Sequence, residues 1–384
     1  MPQRILSIQN LAFFLISIVI IGFLMIEGQF IIVPLVFAFL LSTLVLPIQH
    51  FYDRFIKIQI LSTLLTFLSV LIPLGGLFTF FSFEIAYVLG DLDNITVKVM
   101  QGSKTLFEWL YINFGMTEAD AQALFKDNLS KFIASPLAIF RSSVNSFANI
   151  LLNIGLVLLY MFFILSYRVA IKNFILLQSN PDNRLNAKNT LLEIQKMLRQ
   201  YLSGLLTVII ILTVMNGIGL WIIGVDYPWL WASLAAFLTI IPYIGTTLGG
   251  SLPFFYALAT AASWHQPVAV VIMYAAVQQI EGNLITPYIV GSKVRINPLV
   301  ALLAILLMNS LWGLVGIILA IPAAAIVKII FDQIPQLKPV GALMSSEILK
   351  DKDKFFSEWD ADKYRLFSLF SKKKEDRDDD ELKQ

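Results

Sequence analysis

Apolar runs separated by short polar or glycine- and proline-bearing breaks fill the chain, and the runs come in two lengths. At about 1.5 Å of rise per residue, a helix needs about 20 residues to cross a hydrocarbon core of about 30 Å. By that measure Leu11–Ile26, Phe30–Leu46, Ile60–Phe83, Phe147–Leu165 and Leu205–Ile223 predict five spans, the first two somewhat short. The first run follows Arg4, as a signal peptide would, but no small-residue cleavage site follows it and the second run begins almost at once. A retained helical hairpin is therefore expected.

Beyond Pro228 the arms shorten. Trp229–Ile241 is interrupted by Pro242-Tyr243-Ile244-Gly245-Thr246-Thr247-Leu248-Gly249-Gly250 before Ser251–Ala262 resumes, so each arm reaches only roughly 20 Å. The break has no lysine or arginine, while Trp221, Tyr227, Trp229, Trp231 and Trp264 cluster at the two outer ends. Interfacial aromatics there and non-helical backbone between them predict a re-entrant hairpin, because exposed backbone at membrane depth is tolerated only in protein or against a wet cavity. A second hairpin follows. Pro267–Gln279 leads inward to a polar loop with Lys293 and Arg295, and Leu299–Met308 and Leu314–Ile330 flank Asn309-Ser310-Leu311-Trp312-Gly313. Paired interrupted helices point to a transport site.

Loop charge sets the orientation. Arg54 and Lys57 in Pro47–Gln59, and Arg168, Lys172, Arg184, Lys188, Lys196 and Arg199 in Tyr167–Ser203, mark cytoplasmic segments, whereas the Glu27–Gln29 and Gly224–Pro228 turns have neither lysine nor arginine. Both termini are then expected in the cytoplasm. The organisation that follows is three N-terminal spans over 1–83, an extracytoplasmic helical insert over 84–146, a fourth span with a basic helical segment over 147–204, a core of two broken hairpins over 205–332, and a charged tail over 333–384. Within the insert, Thr117-Glu118-Ala119-Asp120 resembles a capping box ahead of Ala121, Leu124, Leu129, Phe132 and Ile133 at roughly helical spacing. About 60 residues of modest apolar content make a poor independent core, so a cap on the membrane or on a neighbouring subunit is expected.

Composition agrees with the bilayer: 58% of residues are hydrophobic and 14% charged, with a mean hydropathy of +0.77. The net charge of +2 gives no reason to expect a nucleic-acid partner. With no cysteine there is no disulfide or thiolate chemistry, and His50 and His265 are far apart without the i, i+4 partner of a helical zinc site. No metal or cofactor is expected. HExxH, GxSxG, GxxxxGK[ST] and a dinucleotide fingerprint are all missing, which argues against an enzyme and against ATP-driven pumping.

The candidate chemistry lies between Gln279 and Pro322. A carboxylate at membrane depth costs roughly 2.5 to 3.5 kcal/mol on insertion scales, so Glu281 is the first candidate for a coupling group. Gln278 is three residues before it, and Gln279 and Asn283 are four apart, so a continuing helix would gather these amides near the carboxylate. They read equally as a structural network and as a site for a cation, a proton or a polar solute. Lys293 and Arg295 read as topology determinants or as partners of Glu281. Gly245 and Gly249 form a GxxxG, and Gly313 and Gly316 lie about one turn apart, which close helix packing explains. Gly249-Gly250 before Pro253 also suits a turn that exposes backbone to a solute. Asn149 and Asn153 suit an interhelical hydrogen bond.

These residues carry a resemblance. Pro242-x-x-Gly245-x-x-x-Gly249-x-x-x-Pro253, then Gln279-x-Glu281-Gly282-Asn283-x-x-x-Pro287, Gly291, Pro298 and Gly313-x-x-Gly316-x-x-x-x-x-Pro322, resemble the autoinducer-2 exporter family of bacterial membrane proteins. The signatures cover roughly the last 40% of the membrane region; the anterior part agrees in plan. The resemblance implies an all-α permease of about eight helices in the bacterial plasma membrane, assembled as a homo-oligomer, a pentamer among the options. It further implies export of autoinducer-2 or other small organic solutes, or sodium or lithium exchange for protons. Gln279, Glu281 and Asn283 would form the polar cluster, and the Pro242–Pro253 turn the gate.

The expectation is a gradient-driven secondary transporter exporting a small solute, with the broken hairpins moving against the first helices. The alternatives are a cation/proton antiporter in which Glu281 titrates, and a non-transporting oligomeric scaffold.

Overall fold

The computed structural model describes residues 5–6, 8–90, 97, 112, 152–242, 245–261, 263–291, 294–346, 364 and 371–372. The expected insert falls almost wholly outside them, as do the capping box at Thr117, Asn149 and most of the charged tail. The architecture is all-α. Its helices are α1 (Ile8–Glu27), α2 (Gln29–Phe55) and α3 (Gln59–Gly90); α4 (Leu152–Leu177) and α5 (Arg184–Ile223); α6 (Pro228–Leu238), α7 (Gly245–Thr260) and α8 (His265–Ile280); and α9 (Pro298–Gln333) and α10 (Lys338–Met344). A ladder of two residues per strand pairs Ile5–Leu6 with Ser371–Lys372.

Among the described residues six helical stretches are long and apolar enough to cross a membrane, and shorter apolar helices include Pro228–Leu238 and Leu248–Leu258. Their apolar side chains face outward: Ile72 is 73% exposed and Ile222 74%. Surface of that character is expelled from water, so the chain is a multi-pass membrane protein.

The chain divides into two compact units. The first combines residues 1–33, 169–198 and 293–384. In it α9 is a hairpin, bent where Trp312 (φ −133°) and Gly313 (φ 57°, ψ −136°) leave helical geometry. Gly313 supplies a positive φ that side-chain-bearing residues avoid. The chain then doubles back until Gly316 meets the carbonyl of Met308, closer than a Cβ would allow; in a straight helix that pair would be about 12 Å apart. The buried Trp312 Nε1–H donates to the carbonyl of Met25 at 2.8 Å, in the last turn of α1. The tip of this hairpin thus lies against the last turn of α1; its first arm, from Pro298 to the bend, is about 21 Å long and its second, from Leu314 to Gln333, about 30 Å. Its base is clasped by Asn297, which accepts from Val300 N–H (2.8 Å), capping α9, and donates to the carbonyl of Leu343 (2.6 Å). Lys328 pairs with Asp332 at 2.6 Å near this base, and Gly341 packs against the Asp332 carboxylate.

The second unit combines residues 34–168 and 199–292. Ala38 and Val45 of α2 pack with Met161 and Leu165 of α4, and Val70 of α3 joins them. A polar seam continues this bundle: fully buried Gln49 donates to Ser62 Oγ (2.9 Å) and Asp53 Oδ1 (3.1 Å), Ser62 donates to Asp53 Oδ1 (2.7 Å), and Arg168 pairs with Asp53 Oδ2 (2.6 Å). Arg168, expected only as a topology charge, therefore joins α4 to α2.

In the same unit α6 and α7 form the first hairpin. The break is shorter than the sequence suggests: α7 begins at Gly245, so Gly249, Gly250 and Pro253 are helical. Gly245 lies on the Leu238 carbonyl and Gly249 on the backbone of Ala235, so the arms touch without side chains between them. At the base, Gln266 Nε2 donates to the carbonyl of Gly224 at 2.7 Å, fastening the start of α8 to the end of α5. Ala236 near the tip packs with Leu212 and Val277, with Ile240 alongside. Val277 lies about 18 Å along α8 from that base and Leu212 about 16 Å along α5. The tip therefore stops part-way through a 30 Å core, as a re-entrant hairpin does.

Candidate functional site

Glu281 follows directly on α8. The chain does not leave the helix at Gln279, as the hydropathy pattern suggests; it winds on through two π-helical turns, Glu281–Ile285 and Pro287–Gly291. These wide turns recur at functional sites. Their consequence here is concrete. In an α-helix, side chains five apart point in different directions, whereas a π-turn brings i and i+5 back toward one face. The Thr286 N–H bonds the Glu281 carbonyl, and its hydroxyl donates to Glu281 Oε1 at 2.8 Å. Gln278 Nε2 donates to Oε2 at 2.6 Å. Each carboxylate oxygen so has an uncharged donor, and Glu281 is 8% exposed.

Glu281 lies about 24 Å along the helix from His265, close to the level of the hairpin tip. Ile240, at that tip, and Ile285, in the π-turn, pack against the same cluster of Val208, Ile209, Leu212, Ala236 and Val277. The π-turn that begins at Glu281 thus packs, through Ile285, against the same cluster as the hairpin tip.

The other expected site residues are distributed as follows. Gln279 and Asn283 pair with each other at 2.9 Å on an exposed face, away from the Glu281 carboxylate. Pro242 belongs to the tip; Gly245, Gly249 and buried Pro253 pack the hairpin, and Gly250 faces the ring of Tyr274, where a Cβ would stand 3.1 Å from Cδ1. Pro287 and Gly291 bound the second π-turn. Gly313 and Gly316 form the tip of the α9 hairpin and Pro322 is buried in its second arm, all in the other unit. Lys293 lies outside the described residues, and Arg295 belongs to the other unit, where its carbonyl accepts from Ser346 N–H at 3.3 Å.

Thr286 was not legible beforehand, because helical spacing does not join it to Glu281. Asn216 and Tyr274 were also missed: Asn216 is 4% exposed, and neither its Oδ1 nor the Tyr274 hydroxyl has a hydrogen-bond partner among the described residues. An isolated asparagine in an apolar run was the available signal. A separate cavity of about 490 Å³, lined by Phe83, Ala86, Tyr87, Gly90 and Tyr227, opens at the base of the re-entrant hairpin. It holds no charged side chain and is remote in sequence from Glu281. Among the described residues no group of histidine, cysteine and acidic side chains could hold a metal.

Interrupted helices together with a buried carboxylate in a multi-pass membrane protein are the arrangement expected at a transport site. Residues 11–336 match the family described as AI-2E family transporter, and the chain belongs to that family. It is 26% identical to YueF of Bacillus subtilis (strain 168), a transport protein by name, over 79% of this chain and 84% of YueF. It is 25% identical to PerM of Escherichia coli (strain K12), a permease by name, over 65% of this chain and 70% of PerM. The match to YrrI of Bacillus subtilis (strain 168), also named for transport, is 34% identical but spans little more than a third of each, 36% of this chain and 38% of YrrI.

Proposed function

We propose that the chain is a gradient-driven secondary transporter that exports a small solute from the cytoplasm, with Glu281 as the coupling group and the α6/α7 hairpin as the gate. The supporting observation is the buried Glu281 carboxylate, held by uncharged donors in a π-turn at the level of the hairpin tip. A buried carboxylate without an ion-pair partner among these contacts can take up a proton or a cation, and the cluster that Ile285 of its π-turn shares with Ile240 gives hairpin movement a route to change its access to water. An autoinducer-2-like molecule or another small organic compound is the proposed cargo. The bacterial inner membrane, cytoplasmic termini and a homo-oligomer, with a pentamer as the first state to test, complete the proposal.

The neutral donors around Glu281 also favour a second reading, sodium or lithium exchange for protons. Proteoliposomes with an internal pH dye, challenged with sodium, lithium and potassium, separate the two. A cation-dependent pH change abolished in Glu281→Gln would establish antiport. No pH change in assembled protein, with uptake of autoinducer-2 into inverted vesicles, would establish organic export. Full proton coupling in Glu281→Gln would remove that residue from the mechanism. A scaffold would be indifferent to the substitution in every transport assay.

A further inference from the structure

Two apolar clusters of the second unit involve the same helices at different heights. One contains Leu220 of α5, Ala232 of α6, Ala257 of α7 and Val270 of α8. The other contains Leu212 of α5, Ala236 of α6 and Val277 of α8. Helical periodicity then identifies what lies between them. Asn216 is four residues from both Leu212 and Leu220; Ser233 falls between Ala232 and Ala236; Tyr274 is four after Val270 and three before Val277. Residues three or four apart share a helix face, so by position along their helices Asn216 and Tyr274 fall between the two clusters, and Ser233, three before Ala236, falls at the same height.

Asn216 and Ser233 are 4% and 3% exposed. Ser233 Oγ donates to the Leu230 carbonyl at 3.0 Å, leaving it free to accept. Asn216 Oδ1 and the Tyr274 hydroxyl are buried without a partner among the described residues. Native interiors pair nearly all such groups, so two unpaired in one layer call for an explanation. Packing supplies none: Asn216 could be leucine like its neighbours on the stripe. The ring of Tyr274 lies against Gly250, where a Cβ would stand 3.1 Å from Cδ1, so the ring is held on the α7 arm of the hairpin.

We propose that the Asn216–Ser233–Tyr274 layer is a solute-binding station for a small neutral molecule carrying both hydroxyl donors and oxygen acceptors, lying between Glu281 and the base of the hairpin. The reading rests on the chain being a transporter, not on Glu281 being its coupling group. Asn216 Oδ1 and Ser233 Oγ accept from the solute's hydroxyls, and the Tyr274 hydroxyl donates to its oxygen. The layer has no charged side chain and apolar side chains above and below it, so an ion entering would lose hydration without a counter-charge. Neutrality is therefore the selective criterion.

The absence of cysteine from the chain makes the test direct. Asn216→Cys and Ser233→Cys each create a single thiol, with Leu212→Cys as the reference inside the apolar cluster. In proteoliposomes a small neutral maleimide is expected to label positions 216 and 233 faster than 212. In the Ser233→Cys chain, whose sulfur keeps a weak acceptor, erythritol near ten times its dissociation constant slows labelling about tenfold, and tetramethylammonium chloride does not. Tyr274→Phe in the Ser233→Cys chain keeps the ring on Gly250, so assembly and labelling persist, but erythritol protection is lost. Labelling at 216 and 233 no faster than at 212, protection equal for both probes or for neither, or protection unchanged by Tyr274→Phe would each overturn the proposal. Protection is an equilibrium reading. It survives if only the coupling role of Glu281 fails, and proton movement dependent on Glu281 survives if only this station fails.

Discussion

Each oxygen of Glu281 takes one hydrogen bond, from Gln278 and from Thr286, and the second depends on a π-turn that puts residue i+5 within reach. Removing one donor leaves a buried acceptor short, at about 1 to 3 kcal/mol. Thr286→Val, which keeps the branched shape, is therefore expected to lower the melting temperature of the detergent-solubilised protein and to change the pH profile of transport. Thr286→Ser retains the hydroxyl and should restore both. A Val variant that behaves as wild type in both readings would make the hydroxyl's bond to Glu281 incidental. The position of Glu281 was legible in advance, since a carboxylate beside a lipid-length apolar run is conspicuous. Its partners were not, because the inference from spacing assumed an α-helix, and that assumption drew Gln279 and Asn283 into one group with it. They pair with each other on an exposed face instead.

The two hairpins close by different means, visible in their tips. In α9 the bend at Trp312–Gly313 is anchored by an indole N–H on the last turn of α1. Trp312→Phe removes that bond while keeping most of the ring, and is expected to cost about 1 kcal/mol in reversible unfolding. Gly313→Ala places a Cβ at φ 57°, a conformation disfavoured by roughly 1 to 2 kcal/mol. In α6/α7 the arms close because glycine lets backbone lie on backbone. Gly249→Leu would drive a side chain into Ala235 and is expected to separate the arms, abolishing transport with the remaining helices still inserted, as protease accessibility would report. Both breaks were legible from glycine, proline and arm length. What each tip touches was not, since that depends on how the helices pack: Met25 for one, Leu212 and Val277 for the other.

Across the molecule, polar contacts tie together segments distant in the chain. Asp53 of α2 and Arg168 of α4 are partly exposed, so their ion pair is worth less than a buried one, about 1 kcal/mol. The Ser62 and Gln49 bonds to the same carboxylate make it part of a network. Arg168→Met is expected to destabilise the α2–α4 bundle, and a double-mutant cycle with Asp53→Asn should show coupling; additive losses would make the two residues independent. Orientation is testable at the same scale. Glu27→Cys should be labelled from outside intact cells by an impermeant thiol reagent, and Lys57→Cys only after permeabilisation; the reverse pattern would invert the proposed topology.

The sequence by itself determined that this is a helical membrane protein with interrupted helices in its second half, and it singled out Glu281. Hydropathy, arm length and the torsions of glycine and proline are local quantities, read along the chain without knowing which helix faces which. Tertiary structure decided the rest. The rotation of α8 sets Glu281 inward and Gln279 outward, and α4 delivers Arg168 to Asp53. Those outcomes depend on the register and rotation of helices packed side by side, where one residue of slip turns a side chain by about 100°, and apolar runs that are hydrophobic all round carry no stripe to announce that rotation.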